Sequence, residues 1–142
     1  MTRVSNEEAQ AQLEQGVPFL DVRTEQEFAD GHVPGARNVP YMMAGPGGMS
    51  PNPEFVQVVE ALFEKNRPLL VGCRSGARSA RATAELDARG FVSLSDVTAG
   101  FAGAQDAFGR PLPGWSQEER PIETSGDPAL EYVALRKRAG LD

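Results

Sequence analysis

With one cysteine, one histidine and one tryptophan in 142 residues, the sequence is short of the side chains that most often build metal and redox centres. One cysteine cannot close an internal disulfide, and one cysteine with one histidine cannot supply the N and S ligands of a structural zinc site. A dithiol cycle is excluded as well, because it needs a second, resolving cysteine in the chain. Anything left covalently on the single thiol has to be removed by another molecule. Basic residues are also in deficit: 14 Lys and Arg stand against 20 Asp and Glu, a net charge of −6. That balance speaks against a nucleic-acid partner, which needs a basic face. No apolar run approaches the ~20 residues of a membrane span, and the opening Met1-Thr-Arg-Val-Ser-Asn-Glu-Glu8 lacks the apolar stretch of a secretory signal. The expectation is a cytoplasmic protein with no cofactor or metal and no membrane partner. The length suits a single core.

Against this background the segment Leu69-Leu-Val-Gly-Cys-Arg-Ser-Gly-Ala-Arg-Ser-Ala-Arg81 stands out, because it holds the only cysteine between an apolar run and a helix-forming stretch. Leu69 to Val71 reads as a buried strand. Ser79 to Arg89 is rich in good helix formers and stops at Gly90, a typical residue just past a helix C-terminus. Cys73 therefore falls in a tight loop between a strand end and a helix N-terminus, where backbone N–H groups converge and the helix dipole favours negative charge. Arg74, Arg78 and Arg81 add positive charge. These surroundings predict a thiolate at neutral pH, able to attack without a general base. A cysteine packed as a small inert hydrophobe has no use for two arginines and two glycines around it.

The rest of the chain alternates helices and strands. Ser5-Asn-Glu-Glu8 reads as a capping box opening a helix that Gly16 ends, and Val17 to Val22 as a strand. A second capping box, Thr24-Glu-Gln-Glu27, opens a short helix that stops at Gly31, and Arg37 to Val39 forms another brief strand. The composition of Pro46 to Pro51 excludes regular structure. Asn52 caps the next helix with Pro53 at its first position, and Phe55, Val56, Val59, Leu62 and Phe63 form its core-facing stripe. Beyond the cysteine helix, Phe91 to Val97 contains a strand and Phe101 to Phe108 a short helix. This alternation implies a parallel α/β sheet with its ligand beyond the strand C-termini, where Cys73 lies. Residues 1–121 form the domain. Residues 122–142 form an extension, a linker-like Glu-Thr-Ser-Gly-Asp-Pro followed by a helix from Ala129 to Arg138 that docks through Leu130, Tyr132 and Val133.

Asp21-Val-Arg-Thr-Glu-Gln-Glu-Phe28 and Gly31-His-Val-Pro-Gly-Ala-Arg-Asn-Val-Pro40 resemble, almost position for position, the first signature of the rhodanese family of sulfurtransferases. Cys73-Arg-Ser-Gly-Ala-Arg78-Ser79 resembles the active-site loop of its single-domain thiosulfate sulfurtransferases, and the likeness runs from about residue 5 to 121. The chain departs from the family where a glycine pair is usual, with Ala99-Gly100 in its place, and carries an insertion from Gly103 to Gly114 before Trp115. Ala77 stands where an asparagine is common. The resemblance implies an α/β, three-layer rhodanese-like domain, its central and mostly parallel sheet flanked by helices.

The resemblance also implies sulfur transfer through a persulfide on Cys73, from thiosulfate or a related sulfane donor to cyanide, a small thiol or a thioredoxin-like protein. The loop residues Arg74, Ser75, Gly76, Ala77, Arg78 and Ser79 then bind the substrate: N–H groups hold the anionic sulfur and Arg74 takes the donor's anionic end. Arg78 can either bind that donor or pair with an acid to fix the loop, and Ser75 and Ser79 either donate hydrogen bonds or cap the helix. Asp21 and Arg23 brace the site. His32 belongs to a turn and hydrogen-bonds the backbone. The nearest rival, a cysteine phosphatase or arsenate reductase, uses a longer Cys-x5-Arg loop, whereas Cys73 to Arg78 is Cys-x4-Arg. A non-catalytic binding or sensing module is the other alternative.

Overall fold

Two reciprocal caps start the molecule as the sequence predicts. Ser5 Oγ accepts from the Glu8 N–H at 3.1 Å while Glu8 Oε1 accepts from the Ser5 N–H at 3.0 Å, and Thr24 and Glu27 repeat the exchange. The computed structural model describes residues 2–124 and 126–141; Ser125 of the expected linker, Met1 and Asp142 lie outside them. In chain order the elements are β1 (Thr2–Val4), α1 (Asn6–Glu14), β2 (Phe19–Asp21), α2 (Glu25–Asp30), β3 (Arg37–Asn38), β4 (Met42–Gly45), β5 (Gly48–Pro51), α3 (Phe55–Leu62), β6 (Leu69–Gly72), α4 (Ala77–Ala88), β7 (Leu94–Val97), β8 (Ala104–Gln105), β9 (Pro111–Leu112) and α5 (Tyr132–Arg138). Single 3-10 turns cover Trp115–Gln117 and Pro128–Leu130.

The central sheet is parallel throughout, in the order β1-β7-β6-β2-β3. Strand alternation divides its side chains between two cores. Leu69, Val71 and Leu94 join Phe55, Val58 and Val59 of α3, Ala82 and Leu86 of α4, and Tyr132 and Leu135 of α5. On the other face Phe19, Leu70 and Val97 join Ala9 of α1, Phe28 of α2 and Trp115. Helix layers therefore cover both faces, and β6, with neighbours on each side, carries Cys73 at its C-terminal end in the middle of the fold. Among the described residues no helix is long and apolar enough to cross a membrane.

Four local expectations are corrected. Met42 to Pro51 forms the antiparallel hairpin β4–β5: Pro46 and Gly47 supply the turn, so the composition read as structureless is the hairpin's own turn chemistry. Helix α3 starts at Phe55 with no side-chain cap. Although Asn52 Oδ1 accepts from the Glu54 N–H at 3.0 Å, its amide donates to Pro40 O at 2.8 Å and to Tyr132 Oη at 3.0 Å, tying three segments together. No helix spans Phe101 to Phe108: Phe101 O, which a helix would offer to the Gln105 N–H, accepts instead from the Ser116 N–H at 3.0 Å, Gly103 has a φ of +103°, and Ala104–Gln105 pairs with Pro111–Leu112. In the extension Tyr132 and Leu135 are the buried residues, while Val133 is 57% exposed. Strand β1 has no sequence signal beyond three residues, and its pairing with β7 supplies the reason it forms.

Candidate active site

Cys73 leaves β6 with its side chain 2% exposed, and its Sγ lies within hydrogen-bonding distance of two backbone donors, the N–H of Gly76 at 3.1 Å and the N–H of Ser79 at 3.2 Å. The thiol in turn donates to Ser79 Oγ at 3.4 Å. Such a cradle at the start of a 12-residue helix favours negative charge on sulfur. The curl that aims these N–H groups inward depends on Gly76, whose φ of +95° suits only glycine; a Cβ there would stand 2.6 Å from Thr98 O. Behind the loop runs the segment from Gly100 to Ala102, bonded to the carbonyls of Cys73 and Arg74. The floor of the site is thus backbone against backbone.

A family model described as the rhodanese-like domain matches residues 5–107. The chain belongs to the rhodanese-like family. Thiosulfate sulfurtransferase 16, chloroplastic, of Arabidopsis thaliana is 46% identical over 87 residues, covering 61% of this chain and 72% of the relative. Senescence-associated protein DIN1 of Raphanus sativus is 42% identical over 121 residues, 85% of this chain, and Protein HIGH ARSENIC CONTENT 1, mitochondrial, of Arabidopsis thaliana is 37% identical over 95. The aligned parts span only 58% and 56% of those two relatives. Among solved structures, Rv0390 from M. tuberculosis shares the fold at a TM-score of 0.70 and 22% identity, over 88% of this chain and 98% of that one.

Within this rhodanese-like domain the cations divide by task. Arg78 lies against Glu27 of α2 in a two-pronged pair, Nη1 to Oε1 at 2.7 Å and Nη2 to Oε2 at 2.9 Å, which ties the first turn of α4 to α2. Of the two roles open in the sequence, the geometry therefore favours fixing the loop. Arg74 and Ser75 are exposed at the loop's outer side, and Ala77 is exposed beside them. Ser79 is buried, with its hydroxyl 3.2 Å from Gly76 O, to which it donates.

Asp21 and Arg23 do not reach the sulfur. Arg23 Nη2 lies 2.8 Å from Asp21 Oδ2 and donates to Gly31 O at 2.7 Å, with its guanidinium 4.3 Å above the Phe101 ring. Asp21 is paired in register with Gly72, so this buried ion pair braces the strand ends beneath the loop. His32 Nδ1 is 2.7 Å from Phe28 O and the ring stacks on Phe28, in keeping with a turn residue.

The cavity that touches Cys73 on its buried side holds only about 10 Å³, so a donor has to come from the loop's mouth. A larger cleft of about 420 Å³, lined by Pro18, Arg37, Phe63 and Arg67, opens where β2 and β6 begin, at the far end of those strands from the sulfur. The Gly103–Gly114 insertion folds as β8–β9 and faces Ser75, Gly76, Ala77 and Ala80 across a groove of about 760 Å³. It walls the loop from outside.

Glu27 was not singled out in the sequence, because its place in the capping box already accounted for it. Burial works against its charge, but the bonds from Arg78 and Thr24 outweigh that and hold its pKa at about 2 instead of 4.5. A carboxyl depressed on folding stabilises fully above its unfolded value, and that stabilisation drains away as pH falls toward the folded one. The stability gap between wild type and Glu27→Gln is therefore expected to be about 1–2 kcal/mol at pH 7, after solvent screening of this part-exposed pair, and to narrow below about pH 4. Urea unfolding of both proteins at neutral and acidic pH measures it; a gap that stays constant on acidification refutes the pair's contribution.

Proposed function

We propose that the protein is a sulfurtransferase that carries a sulfane sulfur on Cys73, taking it from thiosulfate or a related persulfide donor and delivering it to cyanide or a thiol. The supporting observation is the Sγ cradle formed by the N–H groups of Gly76 and Ser79. In the first step the Cys73 thiolate attacks the outer sulfur of thiosulfate; a new S–S bond forms, the old one breaks, and sulfite leaves with the bonding pair. In the second, an acceptor thiolate or cyanide attacks the terminal sulfur and the Cys73 thiolate departs. With one cysteine in the chain, the acceptor comes from outside, as a small thiol or a thioredoxin-like protein.

On this reading Arg74, exposed and beside the thiol, receives the anionic end of the donor, while Arg78 is committed to Glu27. Arg74→Ala is expected to lower kcat/KM for thiosulfate by one to two decades, the ~1.5–3 kcal/mol of one charge-assisted contact, with a smaller loss on an uncharged persulfide donor. Equal small losses on both donors would remove Arg74 from the donor site.

The rival oxyanion chemistry has a relative named for arsenic in its favour. Against it, Arg78 is turned toward Glu27 and the loop is one residue shorter than Cys-x5-Arg. Assaying one preparation with thiosulfate plus cyanide, with an aryl phosphate and with arsenate separates the readings. Cysteine-dependent phosphate release or arsenate reduction without sulfur transfer would overturn the proposal, and turnover of none of them would favour a binding module.

A further inference from the structure

On one side the central sheet ends in an edge that no strand covers among the described residues. Strand β1 pairs only with β7. The Val4 carbonyl accepts from the Thr98 N–H at 3.0 Å, so in this parallel ladder Thr2 and Val4 turn their peptide groups toward β7. Arg3, between them, turns its N–H and C=O away from the sheet. Such an unpaired edge is a ready template for one more extended segment. Arg3 and Val4 also border the groove of about 760 Å³ beside the Cys73 loop, with Ser75 and Ala77 of the loop and Gln105 and Ala107 of the β8–β9 hairpin around the rest of it. The open edge and the rim of the active-site loop therefore belong to one continuous surface.

Three features of that surface select its occupant. Thiosulfate and cyanide, a few atoms each, fill a small fraction of the groove, whose volume is that of sites for much larger ligands. A free backbone N–H and C=O at its border recognise a chain in extended conformation. Phe108, 83% exposed in the hairpin turn next to Ala107, offers an apolar contact to an occupant bulky enough to cover it. The chemistry of the site adds a fourth requirement: with a single cysteine in the chain, the thiol that removes sulfur from Cys73 arrives on another molecule. A protein that presents its cysteine on an extended segment meets all four.

We propose that the groove between β1 and the β8–β9 hairpin docks the protein that accepts the sulfur, through an extended cysteine-bearing segment that pairs with the Arg3 N–H and C=O and brings its thiol to the Cys73 loop. The segment's thiolate attacks the terminal sulfur of the Cys73 persulfide; a new S–S bond forms on the acceptor, the bond to Cys73 breaks, and Cys73 leaves as the thiolate. The inference rests on the sulfur-transfer reading and names its acceptor, while docking itself is measurable without any sulfur donor.

The probe is a pool of capped nonapeptides with a central cysteine and random flanking residues, used beside the same pool N-methylated at the flanking residues, which removes strand pairing and keeps the side chains. As acceptors from the thiosulfate-loaded full chain, the unmethylated peptides are expected to exceed 2-mercaptoethanol at least about tenfold in kcat/KM at equal thiolate concentration, and methylation to remove that advantage. Arg3→Ala keeps the backbone N–H and should use the peptides within about twofold of wild type. Arg3→Pro lacks that N–H and should lose about tenfold, with cyanide turnover unchanged in both variants. Docking alone is read with the pool carrying serine for cysteine: amide NMR shifts are expected at Arg3 and Gln105, and none with the methylated pool. Peptides no better than 2-mercaptoethanol, methylation without effect, or an Arg3→Pro protein that uses peptides no worse than Arg3→Ala would each overturn the proposal. Should Arg3→Pro not fold, the methylated pool on the wild-type chain decides alone. Cyanide turnover without peptide docking counts against this proposal only, and peptide docking without any sulfur transfer counts against the sulfurtransferase reading only.

Discussion

A Cys73→Ser protein is expected to keep the fold and to lose thiosulfate:cyanide transfer by on the order of 10⁴–10⁶, down to the background of the assay. Serine fits the space and accepts the same two backbone N–H bonds, from Gly76 and Ser79. Its hydroxyl is far less acidic than a thiol and cannot hold a transferable sulfur. Thermal unfolding measured beside the assay separates loss of chemistry from loss of structure. Substantial turnover by a folded Cys73→Ser protein would sink the mechanism, since no second thiol exists to replace the first.

The second large effect is expected at a residue with no functional group. Gly100 has a φ of +68°, and a Cβ built on it would stand 2.6 Å from Arg74 O, 2.7 Å from Arg74 C and 2.8 Å from Cys73 O. None of those atoms belongs to a flexible side chain. Gly100→Ala therefore combines a left-handed backbone penalty of ~1 kcal/mol with an overpacking cost of ~1–3 kcal/mol, and relief comes only by pushing the Cys73 loop outward. The expectation is a loss of roughly 2–4 kcal/mol in urea unfolding, with sulfur transfer reduced at least about 100-fold because the Sγ cradle is displaced. A variant with wild-type stability and turnover would show that the loop is not seated on this segment.

That position also explains a departure visible in the sequence. The family's usual glycine pair is Ala99-Gly100 here. The second position, where a Cβ would meet the carbonyls of the loop, keeps its glycine. The sequence made the Cys73 loop legible because strand, tight turn and helix follow one another within twenty residues. The two capping boxes were legible for the same reason, each being complete within four residues. What escaped depends on partners distant in the chain. Glu27 and Arg78 are 51 residues apart, and nothing local in either segment signals their pairing. The expected helix over Phe101 to Phe108 failed for a related reason, the Phe101 carbonyl being taken by the Ser116 N–H and Ala104–Gln105 by Pro111–Leu112. Local propensity cannot report hydrogen bonds made to residues outside its own segment.

The most direct test of the account is intact-mass measurement of the chain after incubation with thiosulfate, repeated after addition of cyanide or a small thiol. The account predicts a gain of one sulfur atom on the wild-type chain, localised to Cys73, absent from Cys73→Ser, and discharged by the acceptor with stoichiometric formation of thiocyanate or persulfide. No mass gain with thiosulfate or any persulfide donor, or a gain that persists undiminished in Cys73→Ser, would contradict it.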